Sequence, residues 1–380
     1  MKIALIGPTY PFRGGISHYT SFLYEELSCH HDTTVISFRR QYPRLLFPGR
    51  SDVDPSTLEN AVPAERLLDS LDPLSWARTV ARLRSLRPDV VVMQWWVPYW
   101  APAFGTIAHT LRLPPSPRLV YICHNVLPHE SFAGARLLAR FALSRASGYV
   151  VHSRDDESGL VSLFGRASIE RCPLPTYGGL PGVHLPGQAE ARRALGLAVD
   201  NPVLLFFGFV RPYKGLHTLL RAMPSVRRSL PAHLLVVGEF WEPVGTYRRE
   251  IDALGLEKAV TIVDRYVPND ELGTYFAAAD VAVLPYETAT QSAVVQLAFG
   301  LGLPVIATDV GGLSEAVEHG CTGLLVPKSD PSALAQAILS YFHSNMGPGM
   351  RLAIAHSVDR FAWRSIREAI ERLSCSGRQA

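Results

Sequence analysis

The chain has 380 residues, 47% hydrophobic and 19% charged, with 37 Lys and Arg against 34 Asp and Glu for a formal net charge of +3. That length predicts two domains of ordinary size, and the composition excludes disordered and collagen-like chains. So small a positive excess does not point to nucleic acid, though it allows contact with an anionic membrane surface. The cysteines, Cys29, Cys123, Cys172, Cys321 and Cys375, are scattered without a C-x-x-C pair. Neither a zinc site nor a disulfide framework is expected, and a reducing cytoplasm fits.

In chain order, MKIALIG reads as a first strand rather than a signal peptide. Further strands are predicted at 33–38, 89–94, 119–123 and 148–152, separated by helical patterns. The most lipid-like run, 90–104, is broken by Gln94, Pro98 and Pro102, so no spanning helix is expected and the protein reads as cytoplasmic, with peripheral contact at the inner face of a membrane allowed. The Pro- and Gly-rich stretch 172–187 interrupts the rhythm as an interdomain connection. A second series follows at 203–207, 233–237, 260–263, 281–284, 304–307 and 323–326. The βαβα alternation predicts an α/β protein of two doubly wound, Rossmann-like domains, 1–180 and 188–360. The closing FAWRSIREAIERL is helical by spacing.

Several turns sit where parallel sheets bind ligands. After the first strand, Gly14 and Gly15 open an amphipathic helix, so backbone N–H groups can approach an anion without an intervening Cβ. A plain turn with a convenient cap fits that pattern equally, and the spacing is not the dinucleotide fingerprint. The strand LVYIC runs into HNVLPHE, which places His124 at the carboxyl end of a central strand. Asn125 and His129 share its loop, positioned to orient His124 or to hold acceptor hydroxyls. In the second half, Arg211 and Lys214 precede a helix beginning near Leu216. Cations are the wrong sign for a helix N-terminus, which suggests an anion between them. A lone basic turn is commonly just solvated, but Thr290-Gln291-Ser292 opens another helix in the same half, with the amides of Ala293 and Val294 available for phosphate.

The R-x-x-K-G segment after FFGF, the ATQS loop and the PVIAT-D-VGG run, in that order, resemble the donor half of retaining GT-B glycosyltransferases of family 4 (glycosyl transferases group 1). The likeness extends over nearly the whole chain. It implies two Rossmann-like domains facing each other across a cleft, the N-terminal one on the acceptor side and the C-terminal one binding a nucleotide-diphosphate sugar. It also implies that the last helix, within 361–380, packs back on the N-terminal domain. Gly14 and Gly15 would face the donor diphosphate, His18 the acceptor side, and His124 the transferred sugar. The family's two glutamates, eight positions apart, fall at Ala289 and Leu297 when aligned on Gly302-Leu303-Pro304. Glu287 and Gln296 lie nearby as replacements, as in a subgroup with an ATQS-type loop.

Three classes of function stay open at this point: a metal-independent, hexosyltransferase-type enzyme of polysaccharide biosynthesis acting on a glycan or lipid-linked acceptor, a non-catalytic nucleotide-sugar-binding protein, and a GT-B-shaped epimerase. A surface of Trp95, Trp96 and Trp100 argues for a second substrate. Asp52 and Asp54 spell D-x-D in a stretch without strand character, where acids cap or solvate, so no metal and no cofactor are expected. Arg78, Arg82, Arg84 and Arg87 form a basic helical run read first as a solvated face and, with Trp76 nearby, secondarily as a membrane contact.

Overall fold

Short β-branched runs separated by amphipathic helices build two parallel sheets in the computed structural model, which describes residues 1–43, 49–56, 62–112, 116–128, 132–180 and 182–375. The chain divides into two units. Unit 1 comprises Met1–Asp54, Glu59–Pro173 and Phe361–Ala380, and unit 2 comprises Pro55–Leu58 and Leu174–Arg360.

Unit 1 contains β1 (Lys2–Ile6), α1 (Gly15–Ser28), β2 (Asp32–Arg40), β3 (Ala64–Asp69), α2 (Pro73–Leu86), β4 (Val90–Trp95), α3 (Ala101–Leu111), β5 (Arg118–Cys123), α4 (Ala135–Leu143), β6 (Gly148–Val151), α5 (Arg154–Phe164) and β7 (Ile169–Arg171). Its seven strands run in the order β3-β2-β1-β4-β5-β6-β7. The central β4 is buried along its whole length, as expected of a strand covered on both faces. Local chemistry sets the helix starts. Asp72 accepts from the Leu74 amide ahead of Pro73, and Ser153 caps α5 beside Asp155 and Asp156.

Unit 2 contains α6 (Gln188–Ala194), β8 (Val203–Phe207), α7 (Leu216–Arg227), β9 (His233–Val237), α8 (Val244–Ala253), β10 (Val260–Val263), α9 (Asn269–Ala278), β11 (Val281–Leu284), α10 (Ala293–Gly300), β12 (Val305–Thr308), α11 (Gly312–Ala316), β13 (Gly323–Val326), α12 (Pro331–His343) and α13 (Gly347–His356). Its sheet order is β10-β9-β8-β11-β12-β13. In both sheets the order reverses beside the first strand, and such switch points are where open α/β sheets bind ligands.

The last helix, α14 (Trp363–Cys375), belongs to unit 1 and packs on α1 and β6. Trp363 stacks on Phe22 with ring centroids 5.4 Å apart, and Arg367 donates to Glu26 at 2.8 Å.

Two sequence expectations are corrected here. Trp95 and Trp100 form no aromatic surface, because both are fully buried in the core of unit 1, where Trp100 lies 4.5 Å from Phe38. Only Trp96 is partly buried, and its indole donates to the Tyr42 hydroxyl at 2.8 Å. Asp54 is not solvated either. Its backbone amide donates to the Pro11 carbonyl at 2.7 Å, and the residue is 4% exposed.

Candidate functional site

In unit 1, β1 ends at a loop that reaches α1 through Gly14, whose φ of 105° lies in the region that L side chains avoid. No side chain caps α1, whose first turn is closed by the Ser17 amide donating to the Gly14 carbonyl at 3.0 Å. One turn on, His18 is half-buried. Burial lowers its pKa while the Asp54 carboxylate opposes that shift.

His124 follows β5 directly, and its tautomer can be read from a chain of hydrogen bonds. The Thr20 hydroxyl donates to the Ile16 carbonyl at 2.8 Å, so it must accept from the Gln94 side-chain nitrogen at 2.7 Å. Gln94 Oε1 is then the acceptor 3.0 Å from His124 Nε2, which therefore carries the proton. Nδ1 becomes the acceptor of a neutral ring. Burial, reinforced by the neighbouring His152, holds the His124 pKa well below the ordinary imidazole value. An uncharged imidazole with one acceptor nitrogen suits a hydroxyl group better than a phosphate.

The register Cys123↔Val151 sets His152 beside His124 at the carboxyl edge of the sheet, and the edge of Tyr19 meets the His124 ring at 4.6 Å. The β5 loop is itself pinned, with the Val126 amide donating to Asp156 at 2.8 Å and the Trp95 indole donating to the Val126 carbonyl at 3.2 Å. Asn125 lies half-buried in that loop, whereas His129 falls outside the described residues.

In unit 2, Arg211 precedes a single 3-10 turn, Pro212–Lys214, and Gly215 turns the chain into α7. A Cβ on Gly215 would lie 1.9 Å from the Pro285 carbonyl oxygen, so the turn needs glycine for space as well as for its φ of 66°. The close approach is held by the Glu287 amide, which donates to the Tyr213 carbonyl at 2.7 Å. It draws the cationic turn onto the segment that leads to α10.

Lys214 is only 8% exposed, and its ammonium lies 5.4 Å from the Tyr286 ring centroid. Among the described residues no carboxylate lies within ion-pair range of it. Burial, with the Arg211 charge adding to it, brings its pKa down to about 8. The Arg211 guanidinium lies over both Tyr213 and Trp241, at 5.3 Å from each ring centroid. Phe209 in turn packs on Trp241 at 4.8 Å.

The segment Thr290-Gln291-Ser292 leads into α10, and no side chain caps that helix. The amides of Ala293 and Val294, first in the helix, remain available to an acceptor. Gln296 is 2% exposed, and its Oε1 has no hydrogen-bond partner among the described residues. An orphaned buried amide oxygen is costly, and Gln296 Oε1 stands as an acceptor still without a donor among the described residues. Glu287 is placed differently. It accepts from Ser329 and, at 3.5 Å, from Thr218, lining a pocket of about 490 Å³ with His217 and Glu250.

Sequence reasoning missed Gln94, Tyr19 and His152 around His124, and Tyr286, Trp241 and Phe209 around the two cations. Gln94 carried a signal, as the one polar residue in VVVMQW. The aromatic residues carried none, because their contacts form only in the folded chain. The D-x-D acids do not assemble with others: no group of three His, Cys, Asp or Glu suited to a metal occurs among the described residues.

Comparison with known proteins agrees with this layout. Residues 14–175 match the Glycosyl transferase 4-like domain, and residues 201–344 match Glycosyl transferases group 1. A D-inositol 3-phosphate glycosyltransferase of Acidothermus cellulolyticus is 31% identical over 245 residues, which is 60% of this chain and 53% of that protein. The chain spans about half the length of the first curated relatives it matches. Among solved structures, sucrose-phosphate synthase from Thermosynechococcus elongatus aligns with a TM-score of 0.73 at 23% identity, covering 98% of this chain and 97% of that one. Anabaena HepE in complex with UDP aligns with a TM-score of 0.75 at 22% identity, covering 98% and 99%. Those two likenesses speak to the fold alone, which is of the GT-B type. The chain thus carries a Glycosyl transferase 4-like domain followed by a Glycosyl transferases group 1 domain, each built on a Rossmann-like parallel sheet.

Proposed function

We propose that the protein is a glycosyltransferase that moves a sugar from a nucleotide-diphosphate sugar to a glycan or lipid-linked acceptor, with retention at the anomeric carbon. The observation that carries this reading is Lys214, a buried ammonium beside a second cation and without a carboxylate partner among the described residues. A cation held in that way is poorly solvated until an anion arrives, and a diphosphate supplies the charge. The uncapped start of α10 would add the amides of Ala293 and Val294 to the same phosphates.

In this reading Arg211 and Lys214 neutralise the charge that grows on the departing diphosphate, and electrostatic stabilisation of that kind is usually what lowers the barrier most. They do so without a divalent ion. The sugar–phosphate bond breaks as the acceptor oxygen attacks from the same face, and the leaving phosphate takes the acceptor proton. Gln296 Oε1 accepts from a ribose hydroxyl, Thr290, Gln291 and Ser292 border the phosphates, and Gly14 and Gly15, without a Cβ, let the diphosphate approach the backbone. His124 Nδ1 accepts from a hydroxyl of the transferred sugar, with His18 and Asn125 on the acceptor side. Glu287, turned onto Ser329, holds the cationic turn in place through its amide.

Ala289 and Leu297, which replace the family's acidic pair, favour a second reading in which the donor is bound but not transferred. A thermal-shift screen of nucleoside diphosphates and their sugars tests the shared first step, since a ligand that binds the native state raises its apparent stability. A rise with at least one nucleoside diphosphate is expected, and no rise with any removes both readings.

A further inference from the structure

Three neighbouring helices of unit 1 differ from the rest of its surface. α3 packs against both α2 and α4, and none of the three contains an Asp or Glu. Their outward side carries Arg78 and Arg84 on α2 and Arg136 and Arg140 on α4, all exposed. Neither Arg78 nor Arg140 has an ion-pair partner among the described residues, whereas Arg82 is taken up by Glu65 at 2.6 Å. The carboxylates that flank α2 are also engaged, Asp72 with the Leu74 amide and Asp89 with the Lys2 amide.

The same layer holds the two most exposed large apolar side chains described in unit 1, Leu137 at 73% and Leu74 at 66%, with Phe132 just before α4 at 51%. Trp76, the aromatic residue that the sequence pointed to, is not among them. Its indole donates to the Asp69 carbonyl at 2.9 Å, and its ring packs on the core.

We propose that this α2–α3–α4 layer docks on an anionic lipid bilayer. Apolar side chains interleaved with cations, on helices that carry no carboxylate of their own, are the composition of an interfacial surface. A soluble polyanion would be drawn by the arginines alone and would have no use for Leu74 and Leu137. The overall excess of only +3 makes the local segregation the operative feature, because screening confines attraction to charges close to the surface. The docking layer lies wholly in unit 1 and does not depend on the transfer reaction, since the test contains no nucleotide.

The experiment is co-sedimentation of the full chain with vesicles of phosphatidylcholine alone or of equimolar phosphatidylcholine and phosphatidylglycerol, in low and high salt. Binding is expected only to the anionic vesicles, weakening as salt rises. Each cation neutralised should lower the partition coefficient about fivefold, so the double variant Arg78→Gln with Arg140→Gln loses about 25-fold. Leu74→Ser with Leu137→Ser should reduce binding while leaving the melting temperature unchanged, because both positions are exposed. Absence of binding in low salt, or equal binding to neutral vesicles, overturns the proposal. So does binding that the leucine variants leave intact, which would make the layer a general polyanion surface.

Discussion

Replacing Lys214 by Met should separate two consequences of the same buried charge. The substitution keeps an apolar stem of similar length and removes the ammonium. In the unliganded protein the pKa falls from 10.5 to about 8. At about 1.36 kcal/mol per unit, holding the charged form there costs the fold roughly 3 kcal/mol. The sign follows from proton binding. Between about pH 8 and the unfolded-state value the unfolded chain holds the extra proton, so this group makes the fold more stable as pH rises through that window and imposes its full cost below it. At neutral pH, Lys214→Met should therefore raise the melting temperature of the unliganded protein, by about 2 to 4 °C for each kcal/mol recovered. The same change should weaken binding of a nucleoside diphosphate about 10- to 150-fold, the equivalent of losing roughly 1.5 to 3 kcal/mol of charge-assisted bonding. Differential scanning fluorimetry reads the first effect and titration calorimetry with the nucleoside diphosphate selected by the thermal-shift screen the second. A variant that melts lower and binds as tightly as the parent would mean that Lys214 is a structural residue and that the anion lies elsewhere.

Affinity for a nucleoside diphosphate should be full below about pH 8 and fall as pH rises through it, because the free protein then loses the Lys214 proton that the complex requires. Lys214→Arg should be flat over that range, and a wild-type affinity that stays constant would contradict the assignment. His124→Ala is expected to lower the rate of transfer far more than nucleotide affinity, and the reverse pattern in steady-state kinetics and calorimetry would make it a binding residue. Gln296→Leu should weaken the nucleoside diphosphate that the thermal-shift screen selects and its sugar ester equally, by about one to two orders of magnitude, because a ribose hydroxyl loses its acceptor. Glu287→Ala keeps the backbone amide that holds the cationic turn and removes only the carboxylate on Ser329 and Thr218, so nucleoside diphosphate affinity should change little, and a loss confined to the complete donor would put Glu287 on the sugar.

The alternation of strands and helices was legible in the sequence wherever a strand is buried on both faces, since such strands read as unbroken apolar runs. It failed at the two edges of the unit 1 sheet, whereas the edge strands of unit 2, Val260–Val263 and Gly323–Val326, stand where the sequence predicts them. Ala64–Asp69 mixes Glu65, Arg66 and Asp69 with its apolar residues, and Ile169–Arg171 is only three residues long, so neither shows a strand pattern. The cations and the uncapped helix start were legible because sequence displays charge and spacing. Their state was not: the depth of Lys214, the orphaned oxygen of Gln296 and the tautomer of His124 depend on neighbours distant in sequence. The tryptophans show the same limit from the other side. Aromatic residues after a strand look alike whether they line a surface or, as with Trp100, fold beneath the sheet into the core.

The most direct test of the central claim is to incubate the protein with a panel of nucleotide-diphosphate sugars, with and without glycan and lipid-linked acceptors, and to follow both nucleotide and sugar. The account predicts release of a nucleoside diphosphate that is accelerated by an acceptor, with the sugar recovered on that acceptor in its original anomeric configuration. Binding without release, or return of an epimerised sugar still attached to its nucleotide, would contradict it.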